Sequence, residues 1–239
     1  IRHCVEPGVS GYTPSDFPLA RLDQPTVDRL LARHPDLEDV YPLSPMQQLF
    51  LSMEAGSARL GFEQWVFRLS GPLDPSALRE AWEATLANHA MLRTAFVTDH
   101  VAEPLQVVKR RVSLPWAQED WTGQDPAGVH PRLQDFLRSD RERGFDVGVA
   151  PLNRVALIRL SDQEHQLVWS THHLYVDGWS WPLIFRDVGA AYSARCVGSE
   201  PRLAVPCQYG AYIAWLASAA PDSRSFWKER LAGFTSPTP

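Results

Sequence analysis

Thr171-His172-His173-Leu174-Tyr175-Val176-Asp177-Gly178-Trp179-Ser180 is the stretch on which the reading of this chain turns. Two histidines stand together, an aspartate follows the second by four residues, and a glycine comes next. Upstream, Leu152 to Leu160 and His165 to Thr171 are short apolar runs of strand character, separated by the turn-forming Ser161-Asp162-Gln163. Downstream, Trp179 to Arg195 carries the spacing of an amphipathic helix. The histidine pair is therefore expected where a strand ends and a tight loop begins, the kind of place where a rigid scaffold presents chemistry.

Side chains alternate along a strand. Leu167, Trp169, Thr171 and His173 share one face, and Val168, Ser170 and His172 share the other. If the strand persists to its end, one histidine faces a cleft and the other the packed side. A zinc site needs at least one more convergent ligand. Asp177 is the candidate, but no other His or Cys lies at a usual metal spacing, so no metal is expected. Two readings of the residues stay open: a functional pair at a cleft, or a buried, hydrogen-bonded pair with Asp177 capping the loop.

Composition sets the bounds. The 239 residues are 44% hydrophobic and 10% aromatic, enough for a substantial core in one domain or two. A net charge of −5 gives no basic face for nucleic acid. No apolar run approaches the roughly 18 residues of a membrane span, and the start, Ile1-Arg2-His3-Cys4, carries no signal-peptide core. Cys4, Cys196 and Cys207 are scattered and odd in number, which points to a reducing, cytoplasmic setting without a disulfide framework. The absence of an initiating Met gives the appearance of a piece of something longer.

Working outward, residues 1–36 read as a linker broken by Pro7, Gly8, Gly11, Pro14 and Pro18, with a short helix from Pro25 to Arg33. Ser44-Pro45-Met46-Gln47 opens a helix: a Ser cap, Pro at the first helical position and Gln47 completing a capping box. Phe62 to Leu69 reads as a strand, and Asp74-Pro75 starts a helix to about His89. Leu105 to Arg110 reads as a strand, residues 120–129 as loop, and His130 to Arg143 as a charged helix with a solvated face. Alternating helices and strands indicate an α/β class.

The histidine stretch, as His172-His173-x-x-x-Asp177-Gly178-Trp179-Ser180, resembles the HHxxxDG signature of condensation domains of nonribosomal peptide synthetases. Three further stretches resemble that family's motifs in the right order. Ser44-Pro45-Met46-Gln47 resembles the first, in a form that goes with donors ending in a D-configured residue. Asn88 to Phe96 resembles RHExLRTxF, with His89, Leu92, Arg93, Thr94 and Phe96 matching and Asn88 and Ala90 departing. Tyr209 to Trp215 resembles the fourth, with Ala211 where the family carries Asp.

The resemblance implies one lobe of a chloramphenicol acetyltransferase-like pseudo-dimer, an α/β (α+β sandwich) unit with a mixed sheet flanked by helices. It implies residues 1–36 as an interdomain linker and 37–239 as the N-terminal lobe, the second lobe being absent. The implied reaction joins a donor acyl or peptidyl thioester to the amine of an acceptor aminoacyl thioester. Both ride on phosphopantetheine arms of upstream and downstream peptidyl carrier domains, so this chain binds no cofactor of its own. The other implied partners are the C-terminal lobe and adjacent synthetase domains. His173 is implied as the catalytic group. His172 and Asp177 are implied to hold the loop, while Gly178 and Trp179 line the donor channel, with the Gly178 N–H at the developing oxyanion. Arg93 is a candidate to pair with Asp177 across the fold, the alternative being a surface arginine. A single lobe is expected to be inactive alone. The rivals are an epimerisation-type relative and a non-catalytic carrier-protein docking module; a heterocyclisation domain would replace the histidines with aspartates.

Overall fold

The computed structural model describes residues 11–56, 61–219 and 223–236. Cys4, Pro7 and Gly8 fall outside them. Two sheets carry the architecture. The smaller is antiparallel, in the order β1 (Leu37–Pro42), β4 (Leu105–Lys109), β3 (Thr94–Val97). The larger is mixed, in the order β2 (Phe62–Ser70), β7 (Glu164–His172), β6 (Asn153–Ser161), β5 (Trp116–Asp120), with β5 parallel to β6. Seven α-helices flank them among the described residues: α1 (Gln24–Arg33), α2 (Pro45–Gly56), α3 (Pro75–Asn88), α4 (Pro126–Arg143), α5 (Ser180–Cys196), α6 (Tyr209–Ala219) and α7 (Arg224–Arg230).

Local chemistry sets the helix starts. Asp23 accepts from the Thr26 amide, and Asp74 from the amides of Ser76 and Ala77. Ser44 and Gln47 close the expected capping box: the Ser44 amide donates to Gln47 Oε1 at 2.9 Å and the Gln47 amide to Ser44 Oγ at 3.3 Å. Each of these starts has Pro in its first turn, where its missing N–H costs nothing.

The larger sheet is covered on both faces, so β6 and β7 are buried almost without interruption rather than on alternate residues. Leu157, Leu167 and Trp169 pack on Trp82 of α3 and on Ile184 and Val188 of α5, with the Trp82 and Trp169 rings 5.8 Å apart. On the opposite face Ala156, Ile158 and Val168 pack on Trp121 and Leu133, the latter from α4. The stretch expected to be a linker carries packing of its own. Phe17, Val27 and Leu30 are buried against Val40, Val97, Leu105 and Val107 of the smaller sheet.

Three elements depart from the sequence reading. β1 and β5 were not expected, and α4 begins at Pro126 rather than His130, capped by Asp125 on the Ala127 amide. β5 is a polar edge strand with mostly exposed side chains, so it lacks an apolar pattern. Pro131 lies inside α4, and only the first turn of the helix, Pro126 to Val129, was left out of the sequence reading. Among the described residues no helix is long and apolar enough to cross a membrane, and Cys196 and Cys207 are free and exposed.

A buried ion pair clamps α4 to the larger sheet. Arg154 of β6 donates from Nε to Asp140 Oδ1 at 2.5 Å, and its other nitrogens reach the carbonyls of Asp140 and Gly144. Asp140 Oδ2 also accepts from Ser170 at 2.5 Å and from Gln64 at 2.9 Å. Burial alone would raise the Asp140 carboxyl; the bonds from Arg154 and Ser170, the Arg154 charge and Arg143 outweigh it and hold the group below its ordinary value. Removing one member of such a pair strands the other in a dry site. Asp140→Ala is therefore expected to destabilise the fold by ~3–5 kcal/mol at pH 7, read by urea denaturation. A carboxylate with a depressed folded value contributes stability that is complete above its unfolded value of about 3.9 and lost as pH falls toward the folded one. The gap between parent and Asp140→Ala should accordingly narrow below about pH 4.

Candidate active site

The end of β7 is pinned by its neighbour. β2 pairs with β7 from Ser70↔Glu164 to Phe62↔His172, and the ladder runs one step further, the His173 amide donating to the Gly61 carbonyl at 2.6 Å. Strand alternation therefore persists through the pair and sends the two rings to different surroundings.

The His172 ring goes inward. It is 2% exposed, meets Phe145 edge-on with centroids 6.4 Å apart, and accepts the Leu174 amide on Nδ1 at 3.1 Å. Because the donor there is an N–H, Nδ1 is the unprotonated nitrogen, and the neutral ring carries its proton on Nε2. The ring lies directly against Gly61: a Cβ at that position would fall 2.2 Å from His172 Cε1. Phe145 in turn is covered by the Arg154 guanidinium, 4.3 Å from its centroid, which links the buried histidine to the α4 clamp.

The loop that follows is held from below. Gln47 Nε2 donates to the Leu174 carbonyl at 3.2 Å and to Gln106 Oε1 at 2.9 Å, all three residues buried. Asn153 donates to the Tyr175 hydroxyl at 3.0 Å, and burial pushes that phenol far up. Asp177 closes the turn into α5, accepting the Trp179 amide at 3.1 Å, the Ser180 amide at 2.8 Å and the Ser180 hydroxyl at 2.6 Å. Partial burial would raise its carboxyl. The Ser180 and Trp179 bonds, with His173 nearby, outweigh this and hold it below the usual carboxylate range.

His173 stands differently. Its side chain is 30% exposed, with the Phe50 ring edge-on at 4.8 Å. Nδ1 lies 3.1 Å from Glu63 Oε1, yet off the line a hydrogen bond requires, and the atom is buried without a hydrogen-bond partner. Gly178 faces open space, where an added Cβ meets nothing within 4 Å, and Trp179 is 87% exposed. His172, His173, Asp177, Gly178 and Trp179 thus belong to one loop.

Arg93 does not join them. It ends the short 3-10 turn Ala90–Arg93, and its guanidinium reaches Glu38 Oε2 at 2.6 Å, the Lys109 carbonyl and the Ala87 carbonyl. The pairing with Asp177 expected from sequence is not formed, and Arg93 is buried rather than a surface residue. It locks the turn after α3 onto β1 and β4, while Asp177 directs Oδ1 to its own helix start. Among the described residues no group of three or more His, Cys, Asp or Glu side chains could hold a metal ion.

Sequence reading missed Gly61, Glu63 and Asn153. A glycine immediately before a strand was a weak signal for the first; the other two matter only through pairings that sequence spacing does not show.

The condensation-domain family model matches residues 37–239. The chain belongs to the condensation-domain family. It is 38% identical over 241 residues to one of the linear gramicidin synthase proteins of Brevibacillus parabrevis, covering all of this chain and 5% of that protein. Among solved structures it is similar to the EpoB cyclization-docking bidomain of Sorangium cellulosum, a nonribosomal peptide synthetase fragment: 26% identity, TM-score 0.71, 84% of this chain and 40% of that one. It is also similar to the X-domain solved in complex with OxyB from teicoplanin biosynthesis: 28% identity, TM-score 0.68, 83% of this chain and 44% of that one. The chain thus spans less than half of either solved relative. Its fold is the chloramphenicol acetyltransferase-like α/β arrangement expected from the motifs.

The contact between Gly61 and His172 leaves no room for a methyl group. Gly61→Ala must displace the buried ring, and overpacking of this kind costs ~1–3 kcal/mol. Gly178→Ala, with open space at its Cβ, should leave stability unchanged. Urea denaturation of the two variants beside the parent checks the contrast.

Proposed function

We propose that this chain is the N-terminal lobe of a peptide-bond-forming condensation domain, and that His173 is its catalytic group. The observation that carries the reading is the division of labour within the histidine pair. His172 is buried and tied to the loop backbone, whereas His173 sits partly open at the same strand end. In this reading residues 1–36 lead in from the preceding domain, and a second lobe supplies the facing wall.

The substrates are two thioesters on the phosphopantetheine arms of upstream and downstream carrier domains. The acceptor α-amine attacks the donor thioester carbonyl: a C–N bond forms, the C–S bond breaks, and the donor thiol leaves. The amine loses a proton and the leaving thiolate gains one. An ordinary α-amine has a pKa of about 7.7–8.0, so near pH 7 much of it is protonated, and a neutral imidazole is well matched to accept or relay that proton. Most of the acceleration comes from aligning two arms, for which effective molarities are worth ~7–11 kcal/mol. The open position at Gly178 gives the donor arm passage, and its backbone N–H is placed in the reading at the developing oxyanion. Ser44-Pro45-Met46-Gln47 supports a donor ending in a D-configured residue. Trp179 and that same motif favour condensation over epimerisation. One observation favours a second reading, a docking module: the similar X-domain was solved in complex with OxyB.

The test is single-turnover peptide formation on loaded carriers by the two-lobed domain. His173→Ala should lower the rate by roughly 10²–10⁴-fold, the usual range for acid–base assistance, with carrier binding retained. Near-parental turnover would remove His173 from the mechanism, and carrier binding without any parental turnover would establish the docking reading. In the same assay Gly178→Leu should slow donor loading into the site while thermal stability stays parental; an unchanged rate would refute the channel placement.

A further inference from the structure

We propose that Glu63 is the positioning residue of His173, its carboxylate holding the Nδ1 proton so that Nε2 is the nitrogen left to accept one. This rests on the reading of His173 as the catalytic group, and extends it to a residue outside the motifs. Nδ1 of His173 is buried and has no hydrogen-bond partner, which a ring nitrogen does not tolerate cheaply. A carboxylate oxygen already stands 3.1 Å away, and the two groups need only reorient to bond. Catalytic hydrogen bonds are often misaligned before substrate binds and tighten in the reacting complex.

The backbone delivers Glu63 to this place. In the β2–β7 register Glu63 lies opposite Thr171, two residues before His173 on the same face. The side chain comes from the edge strand and is 32% exposed, free to rotate toward the ring. Phe50 of α2 meets the ring edge-on and limits its swing. A neutral imidazole has two tautomers, and the proton sits on the nitrogen that has an acceptor to satisfy it. With Glu63 at Nδ1, the neutral ring has its lone pair on Nε2. Among the described residues, Glu63 from β2 and Asp177 from the loop bear on His173, and Asp177 is already committed to the amides and hydroxyl at the start of α5. His172, the adjacent titratable group, presents Nδ1 to the Leu174 amide.

Two measurements test this. The first is independent of turnover: histidine-selective ¹⁵N NMR of this chain, parent against Glu63→Gln. The parent should show the Nδ1–H tautomer for neutral His173, and Glu63→Gln should shift the population toward Nε2–H, because the carboxylate is the stronger acceptor for the Nδ1 proton. The second is condensation by the two-lobed domain. Glu63→Gln should reduce kcat by roughly tenfold or more, short of the ~10⁴-fold that a wrong tautomer costs in a buried triad. KM for loaded carriers should be unchanged, and Glu63→Asp should recover part of the loss. An identical tautomer ratio in parent and Glu63→Gln would overturn the proposal. The expected NMR shift in a parent that makes no peptide would sustain Glu63 as the partner of His173 and overturn the condensation reading instead.

Discussion

The register of β2 against β7 is the constraint on which the site depends. Because side chains alternate with a period of two, a slip of one residue would exchange the faces of the whole strand. In the observed register Gly61 lies beneath His172, Glu63 beside His173, and Trp65 opposite Trp169. Any other register would drive a side chain into the His172 ring or remove the carboxylate from His173. The register is fixed away from the site. Phe67 packs on Phe185 with centroids 4.7 Å apart, and Trp65 on Trp181 at 5.6 Å. These aromatic contacts bind the edge strand to α5, the helix that begins where the histidine loop ends. The same packing thus sets both borders of the loop.

Electrostatics then divides the polar groups between structure and chemistry. Asp140 and Arg154 neutralise each other beneath the sheet, and Arg93 is satisfied by Glu38 and two carbonyls at the smaller sheet. Asp177 directs its carboxylate to the start of α5. Each of these charges is matched where it stands. His173 Nδ1 is the exception at the site, a buried polar atom still in want of a partner. Unfinished hydrogen bonding is costly in a structural residue and useful in one whose partner or proton must change during a reaction.

Much of this was legible in the sequence because local rules coincide with global ones. Ser44-Pro45 with Gln47, and Asp74-Pro75, mark helix starts by chemistry that acts within four residues. The Leu167-Val168-Trp169 centre of β7 marks it as a strand, and period-two alternation is enough to send the two histidines to opposite faces. Illegible parts have identifiable causes. β5 is a polar strand that forms because β6 offers its edge, and pairing of that kind leaves no hydrophobic period. Asp125-Pro126 carries the same start signal as Asp74-Pro75, but the Ala127-Gly128 that follows gives the first turn of α4 no helical apolar period. The expected Arg93–Asp177 pair failed because complementary charge predicts attraction, not proximity. Arg93 follows a turn that faces β1 and β4, and Asp177 finds closer donors in its own backbone. Glu63 and Gly61 gain their meaning from the strand opposite, about 110 residues away in the chain.

In the role proposed for His173, the position of β7 in the sheet reconciles two conflicting demands. A group that moves a proton must be held rigidly, and this calls for a strand paired on both sides. It must also be reached by large substrates, and this calls for an edge. β7 is second from the edge: β6 pairs with it inside and β2 outside, so it is paired on both sides up to Thr171 and on the β2 side as far as His172. β2 covers that flank with a single layer, and its side chains near the site are only partly buried. The strand end also coincides with the end of the ladder, so His173 makes one last backbone bond, to Gly61, before the chain turns away. Rigidity and access therefore meet at one residue. Moving the pair one strand inward would bury it behind β7, and moving it to β2 would place it on a backbone bonded on only one side.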